Sequence, residues 1–220
     1  MATRFEEAAA EGTERRGGGM SVATGTVTNN FDLVMEGKVE VRVPGVDQTV
    51  WARLTGLGGG SGAGFFYVPR MDDEVLVVFA EDDPTDAFLI GGLWNTRDRI
   101  PVTDPVTALT TRIMRSGVAA GTGQEIELDD LLQSVTITTT TKQKIAMDPT
   151  KIELTNLAGS VSIALDNLTQ TITIRAVNAI NLEAPQITLK GAKVEINGAA
   201  MTTVKSAALC NITAPLVTIN

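Results

Sequence analysis

Val135-Thr-Ile137 is the first copy of a short phrase, two aliphatic residues around one other residue, that recurs to the end of the chain. The later copies are Ile145-Ala-Met147, Ile152-Glu-Leu154, Val161-Ser-Ile163, Ile172-Thr-Ile174, Ile180-Asn-Leu182, Ile187-Thr-Leu189, Val194-Glu-Ile196 and Val217-Thr-Ile219. Up to Val194 the copies begin 10, 7, 9, 11, 8, 7 and 7 residues apart. Alternation of this kind is typical of strands, and the short, near-regular period indicates a stacked β-architecture.

The repeat poses a burial problem for a single chain. A single-chain β-helix needs several strands in each coil, whereas steps of 7 to 11 residues provide one strand and one turn. A lone strand at each level has no apolar layer opposite it. Three chains around one axis would supply three strands per level and a continuous apolar interior. We therefore predict a homotrimer, with the weakest alternation over residues 199–208.

The aliphatic positions of the phrase are predicted to fill the interior of this three-chain helix. They are Val135, Ile137, Ile145, Ile152, Leu154, Val161, Ile163, Ile172, Ile174, Ile180, Leu182, Ile187, Leu189, Val194, Ile196, Val217 and Ile219.

A different pattern, of about five short strands separated by turns, occupies residues 20–100. Lys38-Val-Glu-Val-Arg-Val43 alternates cleanly and stops at Pro44-Gly45, while Glu74-Val-Leu-Val-Val-Phe79 is almost wholly apolar and is predicted to be the most buried strand. No convincing helix interrupts these strands, which favours a small closed barrel over a sandwich. The predicted barrel core consists of Val39, Val41, Val43, Val75, Val77 and Phe79.

Composition argues against a nucleic-acid partner, a secretory signal and a membrane span. The chain has 26 acidic and 18 basic residues, a net charge of −8, so it lacks the basic face with which proteins neutralise nucleic-acid phosphates. Its one cysteine, Cys210, permits no intrachain disulfide, fits a reducing compartment and is expected to be a buried thiol. Residues 1–19 have no apolar core of a signal peptide, and no apolar run reaches the roughly 18 residues that a membrane span requires. We expect synthesis in the cytoplasm without a signal peptide.

Few residues are available for catalysis. The absence of histidine and the single cysteine exclude histidine-based triads, histidine-ligated metals and thiolate clusters. The acidic turns Asp72-Asp73-Glu74 and Glu81-Asp82-Asp83 could bind a hard cation, but Asp is also a common turn former, and Asp129-Asp130 is interpreted in the same way. We predict no enzymatic activity, no cofactor and no metal site.

Two further features of residues 20–100 resemble binding motifs only in composition. Gly58-Gly-Gly-Ser-Gly62 lacks the spacing of a phosphate-binding loop, and no helix follows it. Trp51 and Trp94 could stack on bases or sugars, but they lie in an acidic region, so we expect them to pack against the barrel or a neighbouring subunit.

An ordered set of motifs resembles one protein family. The set comprises Gly37-Lys-Val39, Val41-Arg-Val-Pro44, Trp51-Ala-Arg53, the Gly58–Gly64 loop, Phe66–Pro69, Asp73-Glu-Val-Leu-Val77 with Phe79, and Leu89-Ile-Gly-Gly-Leu-Trp-Asn95. In this order the motifs resemble the baseplate-assembly protein V / Vgr-type central spike family of contractile phage tails and injection systems. The resemblance covers residues 24–95 well and, through Arg115-Ser-Gly117 and Gln124–Asp130, residues 112–130 more loosely.

The resemblance implies an all-β protein with an OB-fold barrel at residues 20–100 and a trimeric intertwined β-helix, the needle, at residues 124–220. Residues 1–19 are predicted to form a flexible arm and residues 101–123 a linker. The implied function is that of a structural spike, part of a virion tail or injection particle, which pierces the target envelope. The implied partners are two further copies, a hub protein at the barrel end and a PAAR-like tip-capping protein at the C-terminal end, with transient envelope contact and no nucleic acid.

The chain departs from the family pattern at several positions. Asp72 precedes Asp73-Glu74 where members often have Gly, and Gln124 stands where many have a histidine. Without histidine the chain cannot build the iron-tipped end of some spikes, so we expect Val217-Thr-Ile219 to end as a blunt platform. We also expect no fused hub domain and no lysozyme domain.

Two other functions remain open from the residues alone. One is an OB-fold module that binds an oligosaccharide or nucleic acid on a trimeric β-stalk. The other is a β-helical carbohydrate enzyme, although acidic residues are sparse on the repeat, namely Asp148, Glu153, Asp166, Glu183 and Glu195.

Overall fold

The computed structural model describes residues 20–83, 85–117 and 122–219. The predicted arm at residues 1–19 lies outside the described residues, as do part of the predicted linker and Pro84, which follows the second acidic turn. The chain separates into two units, the first ending at Val177 and the second beginning at Asn178. The first unit contains two separate β-structures, a barrel and an open sheet.

The barrel is closed by five strands and confirms the predicted all-β class and N-terminal barrel. The strands are β1 (Ser21–Asn29), β2 (Lys38–Arg42), β3 (Val50–Leu54), β4 (Glu74–Phe79) and β5 (Ala87–Gly92). Their order around the barrel is β1-β2-β3-β5-β4, in which only the β3–β5 pair is parallel. A short 3₁₀ turn, Ala80–Asp82, separates β4 from β5.

Strict alternation of inward and outward side chains builds the barrel core. Val39 and Val41 on β2, and Val75 and Val77 on β4, are completely buried, and Phe79 retains 5% of its exposure. Val43, just after β2, is also buried. The core is therefore made mainly of β-branched valines, which fit the pleated interior of a small barrel and explain why so few aromatic residues suffice.

Gly25 on β1 allows the strands to approach closely where the barrel closes. A Cβ at this position would collide with the Cγ1 atom of Val41 and would lie 3.0 Å from the carbonyl oxygen of Arg42. Any larger residue at position 25 would therefore push β1 away from β2.

The second β-structure is a seven-stranded antiparallel sheet. A single helical turn, α1 (Thr107–Thr110), leads directly into β6 (Thr111–Arg115). The remaining strands are β7 (Glu125–Asp129), β8 (Ser134–Thr138), β9 (Lys144–Met147), β10 (Lys151–Thr155), β11 (Ser162–Asp166) and β12 (Thr171–Arg175). Each strand pairs with its neighbours in the chain, so the order in the sheet is the order in the sequence.

This sheet differs from the sequence-based expectation in two respects. Strand β6 pairs with β7 although it lies in the segment predicted to be a linker. The phrases from Val135 to Ile174 pair with one another within the chain, whereas the predicted intertwined helix has one strand per coil from each of three chains. Short turns between strands make antiparallel hairpin pairing available to the chain itself.

The second unit forms no strand pairing among its described residues, 178–219. Its backbone bends at positions 177–178, at the border of the unit, and again at 185, 192, 199–200, 207–208 and 215. No residue in the described range 171–219 has a positive φ, and none of residues 178–219 is helical. In the described parts of the chain, no helix is long and apolar enough to cross a membrane.

Candidate subunit interface

The pairing register of the open sheet collects the apolar side chains of the repeat on one face. Residues directly opposite each other in antiparallel strands project to the same side of a sheet. Ile137 lies opposite both Ile126 and Ile145, and Leu154 lies opposite both Ile145 and Ile163. Extended across the sheet, the register produces two rows of seven positions. One row is Met114, Ile126, Ile137, Ile145, Leu154, Ile163 and Ile174, and the other is Arg112, Leu128, Val135, Met147, Ile152, Leu165 and Ile172. We call these fourteen positions the aliphatic face.

Among the described residues of the first unit, none covers the aliphatic face. Ile137 is 36% exposed, Leu154 40% and Ile172 71%, whereas the valines of the barrel core are at or near zero. Val135, Ile152 and Leu165 are half-buried by their neighbours in the sheet. A continuous apolar surface of this extent is rare on a monomer and marks an interaction surface.

Arg112 is the one polar residue of the aliphatic face, and it lies in the edge strand β6. Its Nη1 donates hydrogen bonds to the carbonyl oxygens of Leu109, at 3.1 Å, and Thr111, at 3.0 Å. These bonds hold the guanidinium at the end of α1. From Leu128 onward, every position of this row is apolar.

The opposite face of the sheet is mostly polar. Its central row is Ile113, Glu127, Thr136, Ala146, Glu153, Ala164 and Thr173. Arg115 forms an ion pair with Glu125, and Lys151 pairs with Glu153 at 2.6 Å. Because these groups are exposed, each pair contributes little stability, and their effect is to keep this face hydrated. The sheet is therefore amphipathic, with its aliphatic face on one side only.

The turns at one end of the sheet are fixed by aspartates. Asp148 Oδ1 accepts hydrogen bonds from the hydroxyl and backbone N–H of Thr150, at 2.5 and 2.7 Å. These bonds favour the carboxylate and lower the pKa of Asp148. In the same way the backbone N–H of Thr169, followed by its hydroxyl, lowers the pKa of Asp166. Asp129, the predicted turn former, accepts the N–H groups of Leu131 and Leu132, both at 2.9 Å.

The hydrogen bonds to Asp148 and Asp166 predict how the stability of the sheet changes in acid. A carboxyl whose folded pKa is lowered contributes stability above its unfolded pKa, and the contribution is lost as the pH falls through the folded value, below about pH 4. Replacing Thr150 by valine removes the hydroxyl donor, so the pKa of Asp148 is expected to rise towards its ordinary value. Carbon-detected NMR titration of the carboxyl groups measures this rise. Thr138→Val, outside the turns, should leave the pKa of Asp148 unchanged, and a rise in that control would contradict the assignment.

The predicted needle-core residues divide between the two units. Those from Val135 to Leu154, together with Ile163, Ile172 and Ile174, lie on the aliphatic face. Val161 precedes β11 and is 47% exposed. The remainder belong to the second unit and are exposed in the single chain; they are Ile180, Leu182, Ile187, Leu189, Val194, Ile196, Val217 and Ile219. Cys210 is exposed as well, where we expected a buried thiol.

Carboxylates of both acidic turns on the barrel accept hydrogen bonds from groups of the same chain. In the first acidic turn Asp73 Oδ2 accepts the backbone N–H of Arg70 at 2.7 Å, and Asn95 donates to Glu74 at 2.6 Å. In the second, Asp83 Oδ1 accepts the backbone N–H of Thr85 at 2.8 Å. Asp73 and Asp83 therefore act as turn-forming groups. The described residues contain no cluster of acidic or thiol groups suited to a metal ion.

A shallow groove lies beside Trp51 on the outer face of β2, β3 and β5. Its two cations are already paired, Lys38 with Glu36 at 2.5 Å and Arg53 with Asp86 at 2.6 Å. The guanidinium of Arg53 also lies 4.2 Å from the ring centre of Phe88. This pairing neutralises the positive charge that a phosphate or an acidic sugar would require.

Sequence reasoning missed an apolar loop between β1 and β2. Phe31, Leu33 and Met35 are 70%, 81% and 87% exposed. Asp32 holds the loop in shape, because its Oδ1 accepts the N–H of Val34 and its Oδ2 that of Lys38, both at 3.0 Å. The hydrogen bond from Lys38 is the main cause of the lowered pKa of Asp32. The run Phe31-Asp-Leu-Val-Met35 was the available signal, since four apolar residues in a loop are unusual.

The strand order and size of the barrel define an OB-type domain. Residues 23–94 match the family described as the Type VI secretion system/phage-baseplate injector OB domain. The resemblance read from the sequence is therefore confirmed for this part of the chain. The match indicates a structural component of a baseplate or injection system. No curated protein matches the chain.

Proposed function

We propose that this protein is the homotrimeric central spike of a contractile injection machine, with a mechanical rather than an enzymatic role. The uncovered aliphatic face carries the proposal, and the family match of the barrel gives it a context. A surface of thirteen aliphatic or methionine side chains in two straight rows needs a partner with the same spacing. Another copy of the same sheet has that spacing by construction.

Three copies satisfy this requirement around a closed axis. Each strand presents two inward positions, so three sheets that face one axis would bring six apolar side chains together at each level from β7 to β12. Neighbouring strands are about 4.8 Å apart, so seven strands would extend the packed interior over about 29 Å. Cyclic symmetry closes such an assembly, whereas an open arrangement would leave aliphatic surface in water.

The mechanical role follows from the two kinds of bond in this assembly. Backbone hydrogen bonds connect neighbouring strands within each sheet. Packing of the aliphatic side chains in a water-free interior would hold the three sheets to one another. Sheath contraction would load the spike along its axis, and splitting it would expose all three aliphatic faces at once. The outward side of each sheet is mostly polar and carries two ion pairs, which suits contact with water.

The barrel is the proposed contact with the hub protein. The loop Phe31–Met35 supports this role, because its apolar side chains are exposed while Asp32 fixes the backbone beneath them. A PAAR-like protein is the proposed cap at the C-terminal end, and the assembled spike would be part of a virion tail or injection particle.

The molecular mass of the full chain in solution tests the proposal. We expect a stable species of three times the 23.2 kDa chain mass by light scattering or native mass spectrometry. Imaging of assembled particles with a label on this subunit should then place it on the axis below the tube. A stable monomer or dimer would contradict the trimer, and a trimer found away from the axis would contradict the spike.

A further inference from the structure

The groove beside Trp51 on the outer face of the barrel has the size of a small-molecule site. Its volume is about 540 Å³, within the roughly 300–1,000 Å³ of typical ligand pockets. The side chain of Trp51 is 42% exposed, so the barrel covers the indole ring only in part. An exposed indole offers a flat apolar surface on which a ligand ring can stack.

The strands fix the floor of this groove. Trp51 and Arg53 lie two residues apart on β3, so their side chains project from the same face of the sheet. Lys38 on β2 lies opposite Arg53, and Phe88 on β5 is the register partner of Arg53 on the other side. The guanidinium of Arg53 stacks on the Phe88 ring, 4.2 Å from its centre. The floor is therefore formed before any ligand binds.

Two loops fix the walls of the groove. Glu36 belongs to the loop between β1 and β2, in which Asp32 Oδ2 accepts the N–H of Lys38 at 3.0 Å. Asp86 belongs to the turn between β4 and β5, and its carbonyl oxygen accepts the N–H of Ala80 at 3.0 Å. Because these bonds already order the backbone, a ligand would lose little binding free energy to ordering the protein.

The charged side chains of the groove are two ion pairs that remain open to a ligand. Lys38 pairs with Glu36, and Arg53 with Asp86, so the four groups carry no net charge. Their side chains are between 34% and 52% exposed. A sugar hydroxyl group donates to a carboxylate and accepts from an ammonium or guanidinium group. Each ion pair can therefore bind two neighbouring hydroxyl groups of a sugar ring.

The charge of the surrounding barrel disfavours an anionic ligand. Residues 20–100 contain twelve acidic and six basic side chains. A nucleic acid or a uronic-acid chain would approach a surface of its own sign, and its charges would find both cations of the groove already paired. The observations therefore favour a ligand that has many hydroxyl groups and no charge.

We propose that this groove binds a neutral oligosaccharide of β-linked pyranose units. One ring would stack on Trp51, and the hydroxyl groups of the adjoining rings would bond to the two ion pairs. A pyranose with equatorial substituents has a flat face of C–H groups, which is the shape that an indole ring accepts. All the groups involved belong to one barrel, so the inference goes beyond the proposed function and does not depend on the trimer.

Titration of the full-length protein with cellotetraose and with chitotetraose tests the inference. The NMR signals of the two indole N–H groups report where the saccharide binds. We expect at least one tetrasaccharide to bind with a dissociation constant of about 1 mM or below, and to shift the Trp51 signal while the Trp94 signal stays in place. Comparison of the two saccharides distinguishes plain from N-acetylated rings.

Trp51→Ala is expected to weaken this binding at least about 10-fold, because tryptophan side chains are frequent hot spots of binding. Asp86→Ala leaves the indole in place and removes a hydroxyl acceptor, so it should weaken binding at least about 3-fold. The matched control is Trp94→Ala, since Trp94 is 69% exposed but lies outside the groove. This control should bind with an unchanged dissociation constant. Circular dichroism checks that each variant is folded.

The outcomes separate this inference from the proposed function. Failure of both tetrasaccharides to bind at about 10 mM would overturn the site, and so would unchanged affinity in folded Trp51→Ala. Tighter binding of tetragalacturonate or of a short single-stranded DNA would overturn the neutral class of ligand. A trimer that binds no saccharide would leave the spike proposal intact, whereas a monomer that binds one would support the site and contradict only the trimer.

Discussion

Replacing Ile137 by lysine is expected to dissociate the assembly into single chains. Ile137 lies in the central part of the aliphatic face, so a trimer would bring three ammonium groups into the dry interior at one level. Burying each ion without a partner costs several kcal/mol, and the three charges also repel one another. We expect the dissociation constant to rise at least about 1,000-fold, which corresponds to roughly 4 kcal/mol. Sedimentation over a range of concentrations measures it.

The matched control is Thr136→Lys, one residue earlier on the same strand. Thr136 faces the polar side and lies opposite Glu127, so a lysine there gains an acidic neighbour and stays in water. This variant should remain a trimer with an unchanged dissociation constant. If both variants dissociate equally, the aliphatic face is not the interface; if neither dissociates, the copies do not meet through it.

Replacing Val41 by aspartate is expected to unfold the barrel. Val41 has no exposed surface, and its neighbours in the core are aliphatic, so the carboxylate would have no partner. The cost of several kcal/mol is a large part of the roughly 5–15 kcal/mol that stabilises a typical domain. In the full chain, hydrogen exchange should show loss of amide protection in β1 to β5. Protection in β7 to β11 should persist, because those strands have their own hydrogen bonds.

Arg42→Asp provides the control, since residue 42 is adjacent but exposed. It should leave the protection of β1 to β5 unchanged. Loss of protection across both the barrel and the sheet in the Val41 variant would contradict the view that the two β-structures are held by separate sets of bonds.

The barrel could be predicted because each of its strands carries a local signal. Lys38-Val-Glu-Val-Arg-Val43 has strict alternation and a turn immediately after it, and all three of its valines are buried. On β4, where the signal was an almost wholly apolar run, Val75, Val77 and Phe79 are buried. The parallel pairing of β3 with β5 had no local signal, because it depends on how the barrel closes.

The open sheet shows what alternation leaves undetermined. A phrase such as Ile152-Glu-Leu154 has the same period whether its strand bonds to the same chain or to another copy. The turns decide between these cases, since Asp148-Pro-Thr and Asp166-Asn-Leu-Thr close hairpins through side-chain hydrogen bonds to the backbone. Strand β6 was missed because Thr111–Arg115 has only two apolar residues and lies between glycine- and proline-containing stretches.

The candidate interface could be predicted as a set of residues but not as a surface. The phrase identified most of the aliphatic positions, whereas the register assembled them into two rows and added Met114, Ile126, Leu128 and Leu165, which lie outside the nine phrases.

The chain-ordered arrangement of the open sheet has a consequence for how its size can change. Each strand bonds only to the strands before and after it, so a hairpin could be inserted or deleted without rewiring any other pair. Every added hairpin would lengthen the stack by about 10 Å while preserving the two rows. The number of hairpins therefore sets the length of the open sheet. Duplication of a segment of about 20 residues could lengthen the sheet without any change to the core of the existing strands.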